Sequence, residues 1–283
     1  MRRRERSPIA GGLPLASTGE TRRVALTAEE THRTAELLRT YWTPPVLQPR
    51  QGVAERLGVR AGRGHPVLVF IGAMLGALAL ISTVSIALGF LVMRVILHFG
   101  GVSGWDEHVN VWLAAHRTPF RTHVSLIGSI VSGGVVLPIV AGLTAAVCAA
   151  SRKWRVAAFV VFVLAVESAS YRITTLVIHR HRPRVVRLED LPVNASYPSG
   201  HTAASIAVYC GLALLLSSLV KNLAFRVSVW AVAVLIVALD ASSRLYRGMH
   251  HPIDVVGGIV VGVATVWLLV LVCRASGAAD DRR

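Results

Sequence analysis

Six long apolar runs constrain this chain more than any other feature of its sequence. They lie at roughly 67–97, 124–150, 155–178, 203–220, 227–243 and 253–273. Each is close to the ~20 residues that a helix needs to cross a bilayer. None alternates apolar and polar residues with a period of two, as a membrane β-barrel requires. The runs therefore predict an all-α protein, a polytopic bundle of six transmembrane helices.

The regions outside these runs predict two tails. Residues 1–64 form an Arg-rich segment that we expect to be cytoplasmic and mostly disordered, with one short helix from Thr27 to about Tyr41. Residues 65–275 form the membrane domain, and 276–283 a short cytoplasmic tail. Hydrophobic residues make up 53% of the chain and charged residues 16%, whereas charged residues are about a quarter of a soluble domain.

The net charge of +15 points to an anionic partner, either nucleic acid or lipid headgroups. The first 63 residues carry twelve arginines against six glutamates, and many other basic residues lie in short loops. Such a distribution is typical of cytoplasmic loops in membrane proteins. No zinc-ligand spacing or helix-turn-helix pattern supports nucleic acid, so the bilayer is the expected partner. The sequence does not indicate the oligomeric state.

The basic loops also predict an orientation in the plasma membrane. With both termini cytoplasmic, 98–123, 179–202 and 244–252 lie outside. The loop 179–202 violates the rule, because it carries four arginines on the outer face: Arg180, Arg182, Arg184 and Arg187. An anion-binding site explains this exception, since one guanidinium group can bind two phosphate oxygens at once.

The stretch 198–201, Pro-Ser-Gly-His, precedes the fourth apolar run and should begin that helix. Free backbone N–H groups at a helix start can bind an anion, and a glycine permits close approach. Taken alone, the stretch also fits an ordinary serine N-cap with a glycine in the turn. Histidine at its end, His201, can donate or accept a proton near neutral pH.

The stretch 243–254 leads into the sixth run and contains two adjacent histidines. His250 and Asp254 are four residues apart and share a face if this turn is helical. A carboxylate that holds one imidazole nitrogen leaves the other nitrogen free to attack. His251 is three residues from Asp254, so spacing alone does not choose between the histidines.

Together with Arg182-Pro183, these stretches resemble the three-part signature of the type 2 phosphatidic acid phosphatase family. That signature is Lys-x₆-Arg-Pro, then Pro-Ser-Gly-His, then Ser-Arg-x₅-His-x₃-Asp. The second and third parts match at 198–201 and 243–254 without a mismatch. The resemblance spans about residues 66–273. The first part departs from it, because Thr175 stands where the family has its lysine.

The resemblance implies a role for each matching residue. It makes His250 the nucleophile of a phosphohistidine intermediate, Asp254 its orienting partner and His201 the acid and base. It assigns the phosphate oxygens to four residues: Arg182, Ser199, Gly200 and Arg244. It implies no metal and no cofactor. Either Arg172 or Arg180 could supply the charge of the missing lysine. Arg172 lies in the third predicted helix, where side chains lean toward the N-terminus and so away from the site, and we therefore favour Arg180.

The sequence thus predicts an enzyme, a membrane hydrolase of a lipid phosphate or prenyl (pyro)phosphate at the extracytoplasmic face. Prenyl substrates such as undecaprenyl pyrophosphate are our first expectation, and phosphatidic acid or phosphatidylglycerol phosphate the second. The alternative is a non-catalytic lipid-phosphate-binding or lipid-translocating protein of the same fold, which loss of the lysine permits.

Overall fold

The computed structural model describes residues 43–49, 52, 56 and 66–280, and this part of the chain is helical without any strand. We number its eight helices in chain order, taking Gly200–Leu219 as one helix that contains a π-helical segment at Ile206–Cys210. They are α1 (Pro66–Arg94), α2 (Val102–Ala115), α3 (Pro119–Val131), α4 (Val136–Ala150), α5 (Trp154–Val177), α6 (Gly200–Leu219), α7 (Leu223–Tyr246) and α8 (Pro252–Asp280).

Five helices of the described part are long and apolar enough to cross a membrane: α1, α5, α6, α7 and α8. The predicted second span is instead the pair α3 and α4, bent by about 40° at the break between them. Counted as one, this pair gives six spans, and the predicted all-α bundle is confirmed. Most of the predicted N-terminal tail, including the expected helix from Thr27 to about Tyr41, lies outside the described residues. Within the tail, Pro45–Leu47 form a 3₁₀-helix, and Leu47 is buried in the hydrophobic core rather than disordered. At the other end, α8 continues past the predicted run to Asp280.

Close packing of α8 against α6 brings two loops together at one end of the bundle. A Cβ added at Gly258 would lie 2.6 Å from the Ser199 carbonyl oxygen, and one at Gly262 would lie 2.8 Å from that of Ala203. Small residues four apart allow such close contact between membrane helices. As a result, the backbone N–H of Ser199 donates to the Asp254 carbonyl at 2.9 Å. The loops before α6 and α8 therefore meet, as the sequence predicts.

Helix α2 lies at this same end and was not predicted as a helix. Trp105 and Trp112 are 56% and 52% exposed, as is typical of tryptophans at the headgroup level of a membrane. Its opposite face is buried. Just after α2, the guanidinium of Arg117 donates to the carbonyls of Tyr246 and Val186.

Candidate active site

His250 is buried in the loop between α7 and α8 with a defined ring orientation. Its Nδ1 lies 2.6 Å from the carbonyl oxygen of Ser196. A carbonyl oxygen only accepts hydrogen bonds, so Nδ1 must carry the proton and Nε2 the lone pair. Nε2 lies 3.5 Å from Nη1 of Arg182. The unprotonated nitrogen thus faces a guanidinium, where an anion would bind.

The pKa of His250 supports a neutral ring. Burial lowers this pKa well below the usual value, and the nearby positive charge of Arg182 lowers it further. The charges of Arg244 and His201 act in the same direction, while Asp254 opposes them. An imidazole that stays neutral at ordinary pH retains the lone pair that nucleophilic attack requires.

Asp254 does not hold His250 in the manner that the sequence predicts. Its Oδ2 lies 4.0 Å from Nδ1 of His250, beyond hydrogen-bond distance. Oδ2 accepts instead from the Ser196 hydroxyl at 2.6 Å and from the His251 backbone N–H at 2.9 Å. Asp254 therefore fixes the segment whose carbonyl orients His250, and acts on the ring through its charge.

Arg180 also departs from its expected role as a phosphate ligand. One terminal nitrogen binds Asp254 and the other binds Asp106 of α2, and all three side chains are buried. Because its partners are two carboxylates, which neutralise its positive charge, Arg180 supports Asp254 and does not replace the missing lysine. Arg172 is exposed, and the Thr175 hydroxyl donates to the Arg172 carbonyl.

Two residues of α2 complete this buried network and were missed by the sequence analysis. Asp106 accepts from the backbone N–H of Ile253 at 3.0 Å in addition to Arg180. The amide of Asn110 donates to the carbonyls of Leu245 and His250, at 3.0 and 2.9 Å. Their spacing of four places them on one face of a helix, but the segment is too short to stand out as apolar.

His251 is a weaker candidate for the nucleophile than its neighbour. Its Nε2 lies 3.1 Å from the carboxylate of Glu107, and its Nδ1 lies 3.3 Å from that of Asp254. Both ring nitrogens therefore face negatively charged oxygens. A phosphate would be repelled there, which distinguishes the two histidines on electrostatic grounds.

The start of α6 brings its three predicted residues to the same site. Ser199 is buried and its hydroxyl lies 3.0 Å from that of Thr202, which in turn donates to Asp240 at 3.1 Å. A Cβ at Gly200 would lie 2.9 Å from the ring of Tyr171, so the site has no room for a side chain there. His201 is half-buried and has no hydrogen-bond partner among the described residues.

The two arginines of the predicted phosphate pocket differ in their partners. Arg182 donates to backbone carbonyls, at 2.8 Å to Pro192 and 3.0 Å to Ala195, and to Met249. Arg244 is fully buried and binds both carboxylate oxygens of Glu189. Asp240, four residues before Arg244, is a more distant partner, with 4.0 Å between Nε of Arg244 and Oδ1 of Asp240.

Glu189 accepts from four donors in this pocket. In addition to Arg244, Oε1 accepts from the Ser129 hydroxyl at 2.7 Å and from Nε of Arg247 at 2.6 Å. Burial alone would raise the pKa of Glu189, but the hydrogen bonds and charge of Arg244 outweigh it and hold this pKa below its usual range. Neither Glu189 nor Arg247 was predicted to belong to the site.

Comparisons with known proteins show which proteins this chain resembles. A family model described as the PAP2 superfamily matches residues 156–277. Phosphatidylglycerophosphatase B of Bacillus subtilis is 27% identical over 191 residues, which cover 66% of this chain and 92% of that protein. Lipid phosphate phosphatase delta of Arabidopsis thaliana is 36% identical over 89 residues, but only 21% of its length is covered.

A solved structure resembles the fold as well. It is the crystal structure of a transmembrane PAP2-type phosphatidylglycerolphosphate phosphatase from Bacillus subtilis, with a TM-score of 0.54 and 26% identity over 92% of that chain. The apolar helices and this likeness define a multi-pass membrane protein. These similarities support the resemblance of the second and third motifs to the type 2 phosphatidic acid phosphatase family.

Proposed function

We propose that this protein is a membrane lipid phosphatase that works through a phosphohistidine intermediate on His250. The observation that carries the proposal is the contact between Nδ1 of His250 and the Ser196 carbonyl. It leaves Nε2 unprotonated and directed toward Arg182. A phosphate held at Arg182 would present its phosphorus to a ready nucleophile, as covalent catalysis requires.

The proposed reaction has two steps and needs no metal. Nε2 of His250 attacks phosphorus, the bond to the leaving lipid oxygen breaks, and His201 gives that oxygen a proton. His201 then takes a proton from water, whose oxygen attacks phosphorus and releases inorganic phosphate from His250. In both steps Arg182 and Arg244 stabilise the charge on the phosphate oxygens, with Ser199 and the space at Gly200 completing the pocket.

The substrate is a phosphate monoester or pyrophosphate on a lipid. Two similar proteins are named for phosphatidylglycerophosphate and lipid phosphate, so these compounds are the first to test beside prenyl pyrophosphates. The basic tail and loops support an active site at the extracytoplasmic face of the plasma membrane. Intact cells should then hydrolyse a short-chain lipid phosphate added outside.

The test compares purified wild type with His250→Ala on prenyl, phosphatidic and phosphatidylglycerol phosphates, with and without EDTA. We expect phosphate release by wild type, unaffected by EDTA, and a loss on the order of 10³-fold or more in the variant. His179→Ala, an exposed histidine of the loop before α6, is the control and should retain activity. Activity that survives in His250→Ala would remove the nucleophile assignment.

The alternative function is non-catalytic lipid-phosphate binding. One observation favours it: among the described residues, neither candidate cation takes the place of the missing lysine, because Arg180 is paired with two carboxylates and Arg172 is exposed. Under this alternative, wild type binds lipid phosphates but releases no phosphate from any of the three classes.

A further inference from the structure

The two terminal nitrogens of Arg244, which we call its fork, are the groups that the motif resemblance assigns to phosphate. They are occupied by a side chain of the protein itself. Nη1 donates to Oε2 of Glu189 at 2.9 Å, and Nη2 donates to Oε1 at 2.6 Å. A guanidinium binds phosphate with the same two-point geometry. A phosphate that takes both nitrogens must therefore displace the carboxylate of Glu189.

Apart from the hydrogen bonds to Glu189, Arg244 has few N–H groups left to bind a phosphate. Nη2 also donates to the Ser129 hydroxyl at 2.5 Å. Nε has no hydrogen-bond acceptor in the described part of the chain and lies 4.0 Å from Asp240. While Glu189 stays in place, the substrate cannot engage Arg244 through both terminal nitrogens.

Several features allow Glu189 to leave. Its side chain is 21% exposed, whereas that of Arg244 is fully buried. It lies in the irregular segment between α5 and α6, not in a helix. A pocket of about 490 Å³, lined in part by Leu188 and Arg247, lies beside it. Arg247 contacts Glu189 through its own Nε, so a displaced carboxylate keeps a cationic partner.

We propose that Glu189 is a specificity-determining residue: its carboxylate yields the Arg244 fork to a phosphate monoester but not to a phosphodiester headgroup. This inference rests on the proposed phosphatase function. A diester carries one negative charge, as the carboxylate does, and gains little by exchange. A monoester carries about −1.5 to −2 charges at pH 7 and three strong acceptor oxygens. Glu189 thus keeps diester lipids of the surrounding bilayer out of the pocket.

A purely structural role for Glu189 predicts the opposite sign. If the carboxylate only held Arg244 in place, its removal would loosen the guanidinium and weaken the binding of every phosphate. Under the proposal, removal of its charge strengthens the binding of diesters most. The direction of the change therefore separates the two roles.

The experiment uses the full-length protein in detergent and the variant Glu189→Gln. Hydrolysis of dioctanoyl phosphatidic acid is measured with dioctanoyl phosphatidylglycerol, a diester, as inhibitor. We expect the inhibition constant of the diester to fall about tenfold or more, in line with loss of a charged hydrogen-bonded competitor. Asp190→Asn, an exposed acid next in the chain, is the matched control and should behave as wild type. An unchanged or higher constant in Glu189→Gln overturns the proposal.

A second measurement does not depend on turnover. Inorganic phosphate should raise the thermal unfolding midpoint of Glu189→Gln more than that of wild type, because ligand binding stabilises the folded state. If Glu189→Gln is not monodisperse, Glu189→Asp retains the charge but shortens the reach and should shift both quantities in the same direction. Equal shifts for variant and wild type overturn the inference. Absence of hydrolysis by wild type would instead refute the proposed function, and the phosphate shift would still test Glu189.

Discussion

The two halves of the candidate site hold their charges in different ways. Around Asp254, the almost fully buried Arg180 pairs with the carboxylates of both Asp254 and Asp106, which are buried as well. At Arg244, the partner is Glu189, which reaches solvent and lies in a loop. Buried ion pairs are costly to break, whereas a partly exposed partner can exchange. Under the proposed function, the first half, which we call the fixed half, holds the nucleophile, and the second half admits the substrate.

Asp106→Asn should break the fixed half and give the largest effect. It removes one of the two carboxylates on buried Arg180, and loss of a buried charge partner costs about 3–5 kcal/mol. Displacement of the Asp254 segment should also lower kcat by roughly 10²-fold. Thermal unfolding and kcat are measured for Asp106→Asn and for a control, Asp190→Asn. Asp190 is exposed, so the control should alter neither quantity. Unchanged kcat in Asp106→Asn would show that the α2 network does not position His250.

Gly200→Ala tests the packing between the two halves and should have a smaller effect. The new Cβ would lie 2.9 Å from the Tyr171 ring, and such overpacking costs about 1–3 kcal/mol. Gly142→Ala in α4 is the matched control, because a Cβ there meets nothing within 4 Å. The unfolding midpoints of both variants are compared with wild type. Equal midpoints would mean that the ring of Tyr171 moves aside freely.

The titration of His250 gives the smallest signal but reports on the fixed half directly. Its pKa in the folded protein lies well below the ordinary 6.5 because of burial and Arg182. As pH falls below 6.5, the unfolded chain gains a proton at this residue that the folded protein does not take up. The free energy of unfolding therefore decreases toward acid pH. NMR of labelled histidines, assigned with His250→Ala, should show this ring still neutral at pH 6; a midpoint at or above 6.5 would contradict the burial argument.

The sequence predicts the membrane helices well because apolar length is a local property of the chain. It also places His250, His201 and Arg244 at one end, since the residues that carry chemistry adjoin the starts of α6 and α8. The bend between α3 and α4 escapes such a prediction, because a run of apolar residues does not reveal a change of direction. The same limit applies to α2, which is short and half-exposed.

The partners of Asp254 and Arg180 could not be predicted, for a different reason. The Ser196 carbonyl that orients His250 is a backbone group. Every residue has such a carbonyl, so the sequence gives no sign of its role. Arg180 and Glu189 lie in a loop whose path depends on contacts with α2, α3 and α7, so their partners cannot be derived from spacing. Thr175 in place of the family lysine made Arg180 a candidate phosphate ligand. The two carboxylates that bind Arg180, however, come from distant parts of the chain, so the sequence does not predict these ion pairs.

The most direct test of the account is to trap the phosphoenzyme. Wild type mixed with a short-chain lipid phosphate is quenched within one turnover, digested at alkaline pH, and its phosphorylated peptide is sequenced by mass spectrometry. The account predicts one added phosphoryl group on His250, absent from His250→Ala. Phosphate on His251, or turnover by wild type with no phosphorylated histidine on quenching, would contradict it.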